Sequence, residues 1–95
     1  MSTAAPQTLS IFQVSYSVRP ILVYPKRAQR AGERGTAEVR AYIDPSGVPQ
    51  QVTVEKSSGH PLLDEAAVDA MSKARVNTGG RAFWVHGPFT FNLPD

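Results

Sequence analysis

Apolar and polar residues alternate strictly in one part of the chain. Ala37, Val39, Ala41 and Ile43 are apolar, while Thr36, Glu38, Arg40 and Tyr42 stand between and ahead of them. A period of two predicts a strand with one buried face. Asp44-Pro45-Ser46-Gly47 follows. Proline presets φ at the second turn position and glycine accepts a positive φ, so the chain reverses. Val48, Val52 and Val54 then alternate with Gln51, Thr53 and Glu55 in a returning strand. The hairpin presents one apolar face that needs a cover. Ser57-Ser58-Gly59-His60 ends the second strand, and Pro61 suits the first turn of a helix, where its missing N–H is harmless. Leu63, Ala67, Ala70, Met71 and Ala74 recur at three- and four-residue spacing, which is the stripe of an amphipathic helix. Asp64 and Glu65 near its start and Lys73 and Arg75 near its end match the helix dipole. Gly79-Gly80 is a break, and residues 76–81 read as a loop.

The same pattern places the remaining elements. Residues 83–93 form a last strand. Val85, Phe89, Phe91 and Leu93 face one way with Gly87 in their register, and Trp84, His86, Thr90 and Asn92 face the other. Pro88 lies inside this strand, and a proline is tolerated only at an edge or a bulge. Gly87 beside it fits a bulge or the close approach of another chain segment. Upstream, Tyr24-Pro25 opens a short helix over residues 25–31, with Gly32 as its stop. Ala28 and Ala31 are its small inward residues, and Tyr24 staples its start to the body. Residues 9–18 carry Leu9, Ile11 and Val14 against polar neighbours and predict an extra strand or an extended segment lying on the domain. Residues 1–8 read as a flexible tail.

These elements assemble in few ways. A right-handed crossover through the main helix sets the last strand parallel to the second, with a gap that the first strand fills. The expected fold is α+β: a split β-α-β arrangement with a three-stranded antiparallel sheet in the order second, first, last. Both helices lie on one face. Leu63, Val39, Ile43, Val54 and Phe91 are expected in the core. Residues 1–18 form a tail or extended segment, and residues 19–95 form the domain.

The last strand is then a free edge with no charge from Ala82 to Leu93. Long open edges recruit other strands. An extended peptide added there gains affinity through main-chain hydrogen bonds, with side chains tuning specificity. Trp84, His86, Thr90 and Asn92 on its open face are the candidate contacts, together with Val85 and Pro88 of the same strand. The gap left by Pro88 concentrates pairing on one half of the strand.

Composition narrows the function. At 95 residues the chain is one domain with one modest core, and it has no cysteine. Disulfides and thiolate metal sites are therefore excluded. The run Pro20-Ile21-Leu22-Val23-Tyr24 is far shorter than the roughly 20 apolar residues a membrane span needs, and the first residues lack the features of a secretion signal. Net charge is +2. The positive charge gathers in residues 1–40, where Arg19, Lys26, Arg27, Arg30, Arg34 and Arg40 face only Glu33 and Glu38. No aromatic residues interleave with these cations as a base-stacking platform requires, so nucleic acid is not expected as a partner.

Candidate chemistry is sparse. Ser58, His60 and Asp64 share a strand-to-helix turn, but a triad must converge in space with an oxyanion hole. They read as helix-start residues, and no catalytic residue is expected. His60 and His86 lack local partners at metal-ligand spacing. Gly32-x-x-Gly35 lacks the preceding strand of a phosphate loop. No metal and no cofactor are expected, and the protein is not expected to be an enzyme.

The residues taken in series resemble the C-terminal domain of TonB-type energy transducers. The likeness spans residues 19–93. It rests on Tyr24-Pro25-x-x-Ala28, Gly32-x-x-Gly35-x-Ala37-x-Val39, Asp44-Pro45-Ser46-Gly47-Val48 and Val52-x-Val54. It continues through Ser57-Ser58-Gly59, Leu63-Asp64-x-Ala66-Ala67 and Trp84-Val85-x-x-Pro88-Phe89-x-Phe91-x-Leu93. The resemblance implies a periplasmic domain carried on an inner-membrane anchor by a proline-rich linker. It implies that the domain grips the N-terminal box of an outer-membrane transporter by strand addition. Force then arrives from a proton-driven motor complex through an anchor that this sequence does not contain. Tyr24 and Pro25 would flank the bound peptide. The sequence departs from the family at Ala74-Arg75-Val76, where an aromatic-Arg-aromatic run is common, and in the spacing of Pro20 and Tyr24. The alternative is a TonB-like docking or structural adaptor in another envelope machine, such as a pilus or secretion assembly. A homodimer is open under either reading.

Overall fold

A computed structural model describes residues 8–93. The elements in chain order are β1 (Thr8–Ser10), β2 (Ser15–Val18), α1 (Lys26–Arg30), β3 (Gly35–Ile43), β4 (Pro49–Lys56), α2 (Pro61–Lys73), β5 (Arg75–Asn77) and β6 (Phe83–Phe91). The tail expected over residues 1–8 lies outside the described residues up to position 7, and Thr8 already belongs to β1.

The first and last of the expected strands bury the faces that their alternation marks. Ala37, Val39, Ala41 and Ile43 are buried along β3, and Phe83, Val85, Phe89 and Phe91 along β6. The two strands pair antiparallel, with Ala37 opposite Phe89, Ala41 opposite Val85 and Ile43 opposite Phe83. Their inward side chains meet Leu63, Ala67, Ala70 and Met71 of α2 and Ala28 of α1 in one cluster. Leu63, Val39, Ile43 and Phe91 are core residues as expected. Val54 is only half-buried. Val54 lies opposite Val39 on the same face, but β4 is the outermost strand of the sheet and a hollow beside α2 leaves its side chain partly open.

The turn between β3 and β4 is held by Asp44. Its Oδ1 accepts hydrogen bonds from the Ser46 and Val48 amides, both at 3.0 Å, and from the Ser46 hydroxyl at 2.6 Å. These bonds outweigh slight desolvation, with the Ser46 hydroxyl contributing most, and hold its carboxyl below the usual carboxylate range. Gly47 sits at φ 90° against β5. A Cβ there would come 2.0 Å from the Val76 carbonyl oxygen, so no larger residue fits.

The sheet differs from the expected three strands. It has four, in the order β1-β6-β3-β4, and β2 and β5 form a separate pair. The expected order of second, first and last strands is present as β4-β3-β6. β1 is added outside it, parallel to β6, with Thr8 opposite Trp84, Leu9 opposite Val85 and Ser10 opposite His86. The edge of β6, expected to be free, is therefore closed along its first half. Residues 75–77, expected as the helix end and the start of a loop, form β5. The Val76 amide donates to the Gly47 carbonyl at 3.0 Å, and β2 supplies the other ladder, with Tyr16 opposite Val76. Among the described residues no helix is long and apolar enough to cross a membrane.

Candidate strand-docking edge

On β6 the backbone groups of alternate residues face opposite sides. Those of Val85, Gly87, Phe89 and Phe91 serve the ladder to β3. Those of Trp84, His86, Pro88 and Thr90 point outward, as the bond from the Ile11 amide to the His86 carbonyl at 2.9 Å shows. Pro88 thus costs the β3 ladder nothing, because its missing N–H lies on the outer side. β1 stops at Ser10, with Ile11 making the last bond. Past that point the Pro88 carbonyl and both backbone groups of Thr90 face no strand among the described residues.

A groove of about 550 Å³ runs along this open half. The outward rim of β6 (Pro88, Phe89, Thr90) forms one wall, and the segment from Ile11 to Leu22 forms the other. Phe12 is 76% exposed at its end and Arg19 supplies a cation. Ile21 and Val23 nearby in the chain are 73% and 64% exposed. These groove residues were missed in the sequence because residues 9–23 lack a sustained period.

The sequence candidates fall in three places. Pro88 and Thr90 line the groove, and Thr90 hydrogen-bonds Thr36 across the outer face at 3.1 Å. Asn92 is exposed just beyond the end of β6. Trp84 and His86 lie on the outer face, but β1 occupies their backbone groups. The Trp84 ring packs against Tyr42 at 5.2 Å and under the Arg40 guanidinium at 4.1 Å, so it covers the sheet. Val85 is fully buried and its backbone serves β3, which removes it from any edge contact. Tyr24 and Pro25 lie away from the groove. The Tyr24 ring meets Phe91 edge-on at 5.3 Å and its hydroxyl donates to the Glu33 carbonyl. Pro25 caps α1 and lines a second hollow with Val23 and Leu62.

Ser58, His60 and Asp64 form a helix-start network. The Ser58 hydroxyl bonds Asp64 directly at 2.7 Å, and the Ser58 amide donates to the same carboxylate at 2.8 Å. No imidazole stands between hydroxyl and carboxylate; the His60 Nδ1 lies 3.9 Å from Glu33 instead. Partial burial raises the Asp64 pKa, but hydrogen bonds from Ser57 and Ser58 and the charge of His60 outweigh it and leave the carboxyl below its usual range. No cluster of potential metal ligands occurs among the described residues.

Comparison with known proteins agrees with this architecture. The chain is 36% identical over 83 residues to protein tonB2 of Pseudomonas aeruginosa, covering 82% of this chain and 31% of that protein. It is 43% identical over 54 residues to protein TonB of Xanthomonas campestris pv. campestris, covering 57% of this chain and 24% of that one. The chain thus spans less than a third of the length of these relatives. In structure it is similar to the TonB C-terminal domain of Pseudomonas aeruginosa solved by NMR, with TM-score 0.76 and 25% identity over 86% of this chain and 88% of that one. The corresponding domain of Helicobacter pylori TonB aligns with TM-score 0.70 and 26% identity, over 78% and 71%. Residues 20–93 match the profile of the Gram-negative bacterial TonB protein C-terminal, so the chain belongs to the TonB C-terminal family.

Proposed function

We propose that this chain is the periplasmic docking domain of a TonB-type energy transducer. It takes up the N-terminal box of an outer-membrane transporter as an added strand on β6. It passes on force from a proton-driven inner-membrane motor, reached through an anchor and linker elsewhere in the protein. The domain acts as a binding module with no catalytic step and no cofactor.

One observation carries the proposal. The outward backbone groups of Pro88 and Thr90 lie open beside a groove lined by both apolar and polar side chains, on a strand whose other side is locked into the sheet. Strand addition needs this arrangement: main-chain partners for affinity and adjoining pockets for alternate side chains. Pro88, Thr90 and Asn92 flank the incoming strand, and Phe12 and Arg19 line its far side.

Titration with a peptide carrying a transporter N-terminal box, followed by amide chemical shifts, tests the proposal. The largest changes are expected at residues 89–92 and 12–22. Changes confined to residues 50–55 would move the docking edge to β4. Silence at millimolar peptide would assign the domain to a different envelope partner.

A further inference from the structure

We propose that β1 is an internal occupant of the docking edge, which the incoming strand displaces. This inference rests on the strand-addition reading above for the identity of that strand. It starts from a mismatch in the edge itself. The open half of β6 offers only the Pro88 carbonyl and the two backbone groups of Thr90, and Pro88 leaves a gap among them. The remaining outward groups, on Trp84 and His86, are held by β1.

The partner cannot add outside β1 instead. Ser10 is capped on that side by its own chain: the Ser10 amide donates to Gln13 Oε1 and the Gln13 amide donates to the Ser10 carbonyl, both at 2.9 Å. An incoming strand therefore either stays on the short open half or takes the place of β1.

β1 is built to leave. It is a strand of only three residues, with Thr8 exposed and Leu9 and Ser10 half-buried. Leu9 packs only partly against the core, and one side chain of the segment is fully seated. Ile11, 6% exposed, seats on Gly87, in a notch that exists because Gly87 has no Cβ. Downstream the segment is held independently by β2 on β5, and release of residues 8–11 breaks the one bond that ties them to it, from the Tyr16 hydroxyl to the Ile11 carbonyl at 2.7 Å. Residues 8–11 can therefore swing away while the core stays intact. The vacated notch then receives an aliphatic side chain of the partner.

A disulfide lock tests this. Ser10 and His86 are register partners and the chain has no cysteine of its own, so S10C/H86C fastens β1 to β6 on oxidation and frees it on reduction. Affinity for a transporter-box peptide, measured by fluorescence anisotropy, is expected to fall at least about tenfold in the oxidised form relative to the reduced form of the same variant. Ile11→Ser is expected to tighten binding several-fold, because apparent affinity follows the fraction of open chains. Equal affinity of the oxidised and reduced forms would overturn the inference. Hydrogen exchange without ligand gives a second arm. The Ile11 amide is expected to exchange at least about 100-fold faster than the Val39 amide, through local opening. If Ile11 exchanges only with global unfolding, β1 is fixed and the inference fails. If Ile11 opens locally yet no form binds the peptide, strand addition is overturned and the competition falls with it.

Discussion

A single methyl group added at Gly87 probes how β1 is held. The Cβ of Gly87→Ala would stand 2.3 Å from Ile11 Cγ1, 2.7 Å from its Cδ1 and 3.2 Å from its Cβ. Carbon atoms pack at about 3.5–4.0 Å, so Ile11 must retreat by more than ~1 Å. Overpacking of this kind costs about 1–3 kcal/mol. Expelling the side chain from the core altogether costs about 1.5–3 kcal/mol, which caps the penalty. Replacing glycine inside a strand returns roughly 0.5–1 kcal/mol, because the unfolded chain loses freedom. The expected net loss is about 1–2 kcal/mol, or roughly 4–16 °C in Tm for a domain of this size.

A double-mutant cycle separates this contact from a general strand effect. Ile11→Ala alone is expected to cost about 2 kcal/mol, at the low end for a buried isoleucine because the site lies at a sheet edge. In the Ile11→Ala background, Gly87→Ala is expected to be neutral or slightly stabilising, because the obstructing Cγ1 and Cδ1 are gone. Urea melts of the four proteins then give a coupling of about 1–2 kcal/mol. Additivity within about 0.5 kcal/mol would show that Ile11 does not occupy the Gly87 notch.

Three further outcomes are expected. Leu63→Ala, fully buried between α2 and the sheet, costs about 2–5 kcal/mol in a denaturant melt, and a loss under ~1 kcal/mol would mean the helix face is wrong. The folded Asp64 carboxyl lies below its ordinary value of 3.8, so its stabilisation is fully present above that pH and is lost as pH falls through the folded value. Solvent screens this half-exposed carboxylate, so Asp64→Asn should destabilise by about 0.5–1 kcal/mol at pH 7 and by less near pH 2, and an equal deficit at both would refute the charged role. A chelator is expected to leave Tm unchanged, and a fall of several degrees in a thermal melt would reveal a structural metal.

The parts of the fold that follow from short-range rules were legible in the sequence. Ala37 to Ile43 alternate because one face is buried. Asp44-Pro45-Ser46-Gly47 turns because Asp44 can cap two amides while Gly47 accepts φ 90°. Leu63, Ala67, Ala70 and Met71 recur at helical spacing because α2 covers that sheet. Val54 shows where the rule is incomplete: it faces the same side as its partner Val39, but alternation does not say that β4 ends the sheet. β5 was hidden for a different reason. Arg75-Val76-Asn77 is too short to show a period, and it becomes a strand only because Gly47 and β2 arrive on its two sides.

The docking edge was half legible, and its two glycine-proline neighbours explain why. Pro88 marks an outer side by a property of its own backbone, since a missing N–H cannot sit in a ladder, and the structure places it there. A residue's own chemistry does not say whether that outer side is vacant. Vacancy depends on Thr8–Ser10, a segment distant in sequence, where Leu9 and Ile11 predict an extra strand without naming the strand it joins. Gly87 did carry the information, as a position where something approaches closely, but a glycine names no partner. Ile11 answers it from the other end of the chain, as one buried isoleucine in a polar stretch. The pair is specific in space and nearly silent in sequence. A three-residue strand held by Ile11 and a half-buried Leu9 is weak for the same reason, and the proposed exchange requires a weak occupant.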